Sequence, residues 1–218
     1  MEKSRNRGIH NLRWAVLAVA LLFGGSIKAQ NFGINFGYAS ENFPTITNPF
    51  FESTTSQGDL TGFFGGVNYN LKLSECWGIS VGVQGRFYTR EFETVMLFVS
   101  SHVKEKQVIV DVPVLLNFAV PFNDESRLTL FAGGLASYTV VGSTTVSNNL
   151  STNDIILQWN DKKNGYKPFN PQATAGIALT IKYFRIFGGY SLGILDIDLD
   201  EQSKTTTSNI YMGLSVVL

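Results

Sequence analysis

Side chains that serve as bases, nucleophiles or metal ligands are few in this chain: two histidines and one cysteine in 218 residues. His102 follows Ser100 and Ser101, and a histidine acting as general base with a hydroxyl and a carboxylate would be equipped for acyl transfer. Neighbours in one loop do not converge on a reacting atom, so His102 reads as a solvent-exposed histidine. Cys76, in Ser74-Glu75-Cys76-Trp77, cannot form an internal disulfide and has no activating base close by. It reads as an ordinary thiol in a turn. No His or Cys pair has ligand spacing, so no metal centre and no cofactor is expected. The run Asp196, Asp198, Asp200 and Glu201 could hold calcium weakly, but reads as a solvated loop.

A second group is defined by its period of two. Gln84, Arg86, Tyr88 and Arg90 alternate with bulky residues, as do Asp111 and Asn117 further on. On neighbouring strands these side chains share one face. We expect an internal polar network of Gln84, Arg86, Tyr88, Asp111 and Asn117, with Arg86 and Asp111 as its charged centre. A buried unpaired ion costs several kcal/mol, which makes a structural role the first reading and a proton or ion path the second.

Positioning such a network requires strands, and the composition agrees. Charged residues make up 16% and aromatics 13%, with 21 glycines, against roughly 25% charged in soluble domains. Of the 17 basic and 17 acidic residues, five bases (Lys3, Arg5, Arg7, Arg13, Lys28) and one acid (Glu2) fall in the first 29, leaving an excess of four acids beyond it. A mildly acidic chain without basic runs offers no footprint for nucleic acid.

Residues 1–29 have the layout of a secretory signal peptide: a basic start to Arg13, ten apolar residues from Trp14 to Phe23, and a small, turn-prone stretch ending at Ala29. Ten residues of helix reach about 15 Å, half of the roughly 30 Å hydrocarbon core. Cleavage after Ala29 is therefore expected, with residues 30–218 as the mature domain.

No later segment approaches 18 consecutive apolar residues, so a membrane protein here must cross with strands. Period-two alternation recurs eight times. The first run aligns Phe32, Ile34, Phe36 and Tyr38. The second spans Leu60 to Lys72 and the third Gly78 to Phe92. The fourth, Gln107 to Val120, puts Val108, Val110, Val112, Val114, Leu116 and Phe118 opposite Ile109, Asp111, Pro113, Leu115 and Asn117. The fifth, Arg127 to Val141, has apolar residues on both faces and leaves its facing open. The sixth runs from Gln172 to Phe184, the seventh from Arg185 to about Leu195, and the eighth ends the chain with Ile210, Met212, Leu214, Val216 and Leu218. Pro113 removes a ladder donor, so a bulge or a missing bond is expected there.

Links after the second, fourth and sixth runs are short: Leu73 to Trp77, Pro121 to Ser126, and a tight turn near Phe184. Those after the first, third, fifth and seventh are long and polar: Ser40 to Asp59, Glu93 to Lys106, Gly142 to Pro171 (with Trp159 and Tyr166), and Asp196 to Thr206. Short periplasmic turns and long outer loops are the pattern of outer-membrane barrels. Lipid offers no hydrogen-bond partners, so the sheet must close without edges.

Several short stretches resemble the PorT-like outer-membrane β-barrel proteins, also called outer-membrane β-barrel domain proteins. They are Ala29-Gln30, Val110-Asp111-Val112-Pro113-Val114-Leu115-Leu116, Phe131-Ala132-Gly133-Gly134-Leu135, Gly188-Gly189-Tyr190-Ser191-Leu192-Gly193 and the alternating terminal strand. The chain departs from the pattern at Leu218, where such barrels often end in Phe. The resemblance implies a fold and a location but no reaction; one namesake branch is similar to accessory factors for protein secretion.

The expectation is an all-β, eight-stranded antiparallel transmembrane β-barrel with short periplasmic turns and long outer loops, preceded by a signal peptide, in the outer membrane of a Gram-negative bacterium. Eight strands leave an interior that side chains fill, so no open pore is expected. The expected role is structural or interactive rather than catalytic, with membrane lipid around the wall and a protein partner at the outer loops. The alternatives are a lipid-modifying outer-membrane enzyme using His102, an accessory factor for secretion, or a soluble lipocalin-like binder with its bulky faces turned inward around a ligand.

Overall fold

The computed structural model describes residues 32–42, 59–96, 99–148, 155–158, 167–196 and 206–218. Nine strands occur among them: β1 Phe32–Asn42, β2 Leu60–Lys72, β3 Trp77–Met96, β4 Val99–Pro121, β5 Ser126–Asn148, β6 Ile155–Gln158, β7 Phe169–Ile181, β8 Phe184–Gly193 and β9 Ser208–Val217. Eight form a closed antiparallel ring in which each strand pairs with the next, β5 with β7, and β9 with β1. The ninth, β6, pairs only with the far end of β5, at Ser143 to Val146. No helix among the described residues is long and apolar enough to cross a membrane. The leader, residues 1–29, lies outside the described residues.

The alternation written in the sequence is the alternation of the wall. Phe36, Phe63, Val83, Phe87, Val114, Leu116, Ile177, Ile186, Ile210 and Met212 point away from the barrel axis and are exposed, Phe63 at 70%. Polar residues point in and are buried: Ser80, Arg86, Asp111, Asn117, Ser137, Thr174, Ser191 and Ser215. A lipocalin-like arrangement requires the reverse. An apolar exterior around a polar, hydrogen-bonded interior is stable only where the outer solvent is lipid.

β5 settles the facing that the sequence left open. Leu130 and Tyr138 are exposed, whereas Phe131 and Leu135 are buried inside. The inward Phe131 lies over Gly176, where an added Cβ would come within 2.3 Å of the ring. Likewise, Phe64 covers Gly37, with 2.5 Å between a built Cβ and the ring. Large apolar residues on an inner face are thus matched by glycine on the next strand, an aromatic-over-glycine pairing that pins register.

At Pro113 the ladder to β3 is interrupted. Val81 pairs with Val114 and Gln84 with Asp111, while the two positions between them have no partners in that ladder. The register is the same on both sides of the gap, so the missing imide N–H removes bonds without shifting the strand. A bulge occurs elsewhere: Val108 faces Val141 and Ile109 faces Thr139, so Val140 is the extra residue on β5. Val140 and Val141 are both exposed as a result.

Of two stretches expected as long loops, the first is largely and the second partly strand. Glu93 to Lys106 is the tip of a β3–β4 hairpin paired out to Met96 and Val99. Gly142 to Pro171 contains the end of β5, the short β6 and the start of β7. The alternation rule missed them because strands that leave the lipid need no apolar face, and Lys104, Glu105 and Lys106 therefore read as loop. The short turns fall as expected, the tightest at Lys182 and Tyr183 between β7 and β8, with Lys182 at φ 54°. That conformation is uncommon for a residue with a Cβ and suits a two-residue hairpin.

Candidate functional site

The inner face of β3 carries Gln84, Arg86, Tyr88 and Arg90 because every second residue of a strand turns inward. The ladder aligns Gln84 with Asp111 on β4, and Asp111 with Ser137 on β5. The three strands thus bring the charged centre together. Arg86 donates from Nε to Asp111 Oδ2 at 2.6 Å and from Nη2 to Asp111 Oδ1 at 2.7 Å. This two-pronged contact uses the planar fork of the guanidinium. Arg86 also donates to Tyr88 OH and Ser137 Oγ, both at 3.1 Å, and its guanidinium carbon lies 5.6 Å from the Tyr88 ring centre. Gln84 Nε2 donates to Asp111 Oδ2 at 3.1 Å. Both charged partners are sealed from solvent, Asp111 at 0% and Arg86 at 1% exposure.

Asn117 is buried but belongs to another cluster. Its Nδ2 donates to Ser80 Oγ at 2.6 Å, and Ser80 in turn donates to Asn70 Oδ1 at 2.5 Å. Six residues separate it from Asp111 along β4, about 20 Å of strand, which is too far to join the arginine. The sequence reading therefore grouped one residue too many.

It also missed Glu41. On β1, between Ser40 and Asn42, Glu41 faces inward and is buried, with Oε2 3.8 Å from Arg86 Nη1. The charged centre is one cation between two carboxylates. The signal was present in the inward alternation of Gly33, Asn35, Gly37 and Ala39, which Glu41 continues. A further inward pair, Arg90 Nε to Glu105 Oε2 at 3.0 Å, extends the interior ion pairs toward the outer rim. Phe64, Phe187 and Tyr211 pack together with ring centres 6.0 to 6.4 Å apart and fill adjoining interior space.

His102 stands on the outer part of β4 opposite Glu93, with Nε2 3.9 Å from Glu91 Oε2. Glu91 is already bonded to Lys104 Nζ. Both His102 and Glu91 are about half exposed. Cys76 lies in the β2–β3 turn and is a free thiol. Of the acidic run, Asp196 is described, its backbone oxygen accepting from Lys167 Nζ at 3.1 Å. Asp198, Asp200, Glu201, Trp159 and Tyr166 lie outside the described residues. Among the described residues no group of three or more His, Cys, Asp or Glu could hold a metal ion.

Among solved structures, the chain is similar to the attachment invasion locus protein Ail of Yersinia pestis, at 13% identity and TM-score 0.44 over 86% of this chain and 98% of that one. It is also similar to Neisserial surface protein A, at 10% identity and TM-score 0.42 over 86% and 97%. The outer membrane enzyme PagL gives 10% identity and TM-score 0.40 over 84% and 99%. No curated protein matches by sequence. The sequence profile of the outer membrane protein beta-barrel domain matches residues 15–199. With a closed ring of eight strands, an apolar exterior and a sealed polar interior already established, the chain belongs to the outer membrane protein beta-barrel domain family and resides in the outer membrane of a Gram-negative bacterium.

Proposed function

We propose that the protein works without catalysis, as an interaction protein whose outer hairpins meet a partner above the membrane while the barrel serves as a closed anchor. The observation that carries this reading is the length of three strands. β4 and β5 have 23 residues each and β7 has 13. At about 3.3 Å per residue and a tilt of about 40°, these span roughly 58 and 33 Å, against an apolar band about 25 Å tall. β4 and β5 therefore overshoot β7 by about 25 Å on one side, β3 pairs alongside them, and β6 widens the sheet. Such a projecting platform is a rigid scaffold that holds its connecting segments above the membrane, where binding residues commonly lie. A filled interior with the Arg86–Asp111 pair at its centre fits an anchor better than a channel.

Within the family, the stretches quoted above favour the PorT-like branch, and an accessory role in secretion is the finer form of this proposal. The test joins two measurements. Reconstituted protein is expected to add no conductance to a planar bilayer. Cross-linking in membranes is expected to join a defined partner to the protein, and to fail when residues 93–102 are replaced by an Asn-Gly turn. An unchanged cross-link in that variant would refute the platform. Lipid deacylation or acyl transfer lost in His102→Ala would replace it with catalysis.

A further inference from the structure

Two interior arginines have carboxylate partners: Arg86 has Asp111 and Glu41, and Arg90 has Glu105. Two others, at the short-turn end of the barrel, do not. Arg127 is the second residue of β5, on the same face as the buried Thr129 but exposed at the barrel mouth, and Arg185 is the second residue of β8 and half-buried. Between them on β7 is Thr180, which pairs with Arg127 on one side and with Arg185 on the other. Directly opposed residues have Cβ atoms about 5 Å apart, so the two cations flank one threonine across three adjacent strands. Two cations with one strand between them, about 10 Å apart, repel unless something of opposite sign lies between them.

No ion pair among the described residues supplies that sign to either arginine. No described carboxylate forms an ion pair with either guanidinium, and Glu125, the acid of the neighbouring turn, is taken by Lys182 at 3.3 Å. Glu75 lines the same cavity from the β2–β3 turn but makes no ion pair with either arginine. Arg185 Nε is buried without a hydrogen-bond partner, as is Thr180 Oγ1, on a residue only 3% exposed. The flat side of the Arg185 guanidinium is occupied by Phe131, whose ring centre is 5.9 Å away, which leaves its edge donors to point elsewhere. Arg185 lines a cavity of about 120 Å³ together with Arg127, Thr129, Thr180 and Asn117. A single buried water needs only about 10–15 Å³ by this measure, so the space takes a several-atom group.

We infer that this cavity is a binding site for a phosphate-type oxyanion, held between Arg127 and Arg185 with the Thr180 hydroxyl as a third donor, and reached from the periplasmic mouth. Guanidiniums suit phosphate because their paired N–H groups match its oxygens, and burial of Arg185 Nε and Thr180 Oγ1 strengthens their contacts over the value in water. The anion comes either as free phosphate or as the phosphate ester of a lipid headgroup. An unsubstituted ion needs only the cavity, whereas an ester must also pass its glycerol through the mouth beside Glu75 and Cys76.

The test is calorimetric titration of the protein folded in detergent micelles, with inorganic phosphate in one arm and glycerol 3-phosphate in the other, at ionic strength held constant with chloride. One saturable site is expected, weakened about tenfold or more in Arg185→Gln or Arg127→Gln, since a charge-assisted hydrogen bond is at stake in each. Comparable affinity for glycerol 3-phosphate would assign the headgroup ester, and binding of phosphate alone would assign the free ion. Thr180→Val keeps both cations and is expected to weaken binding severalfold. Cys76 is the single cysteine and lines the same cavity, so bound phosphate is also expected to slow its labelling by maleimide in the unmodified protein. Absence of saturable heat from both anions together with an unchanged labelling rate overturns the inference, as does full binding in a folded Arg185→Gln.

Discussion

Asp111→Asn is the most direct probe of what holds the barrel interior together. The change keeps size and one acceptor oxygen but removes the charge that accepts from Arg86 at 2.6 and 2.7 Å. Arg86 is then a fully buried cation whose remaining described carboxylate neighbour is Glu41, at 3.8 Å and without a hydrogen bond to it. Breaking one side of a buried pair costs about 3–5 kcal/mol. Glu41 offsets part of that, so a loss of about 3 kcal/mol is expected, roughly two orders of magnitude in the folding equilibrium. Removing the whole charged centre, in Arg86→Met with Asp111→Leu and Glu41→Gln, leaves no uncompensated ion and is expected to cost only about 1 kcal/mol. The gap between the single and the triple variant reports the cost of leaving Arg86 buried without its main counter-ion. Urea titration in lipid vesicles, with the folded fraction read from heat-modifiable migration on gels, measures all of the terms. The reasoning fails if the single variant loses less than about 1 kcal/mol, or if the triple variant is as unstable as the single.

Glu41→Gln is expected to cost less than Asp111→Asn, about 1 kcal/mol or below, because its oxygen contacts Arg86 at 3.8 Å rather than through a fork; the same urea titration decides, and a larger loss would make Glu41 the principal counter-ion. Val114→Arg, on the exposed outer face of β4, is expected to destabilise by about 2–4 kcal/mol in vesicles if it lies near the bilayer midplane. A neutral result there would place that wall in water. Gly176→Ala is expected to lose about 1–3 kcal/mol through overpacking, because the added methyl meets Phe131 and the Gly188 carbonyl, each at 2.3 Å. Pairing it with Phe131→Leu should recover part of the loss, and no recovery would show that the backbone contact dominates.

The lipid-crossing part of each strand could be read from the sequence because lipid imposes a rule on every second residue. Val110, Val112, Val114 and Leu116 satisfy that rule with no exception, so the span and facing of β4 in the membrane follow directly. Arg86 and Asp111 were readable as partners because a buried ion has few alternatives. The rule ends where lipid ends. Residues 99–106 of β4 are paired strand, yet their sequence carries no apolar alternation that marks them. β5 was ambiguous for a different reason: Phe131 and Leu135 are apolar residues placed inside, and the glycine that Phe131 covers is Gly176 on the neighbouring strand, 45 positions away in sequence. The cavity beside Arg185 depends on three strands meeting, Arg127, Thr180 and Arg185 in register, and pairing of that kind has no local signal.

Arg86 and Asp111 stand on consecutive strands, 25 residues apart, and the ladder that brings them together is that of a single hairpin. Their attraction is therefore available as soon as β3 and β4 zip, before the first and last strands have met. A nascent barrel entering the bilayer hairpin by hairpin would carry this arginine as half of a neutral couple rather than as a naked cation. Glu41 reaches the couple only from β1, two strands away, once β2 has docked alongside β3. The innermost charges thus impose an order on assembly, with local neutralisation first and the third member added afterwards.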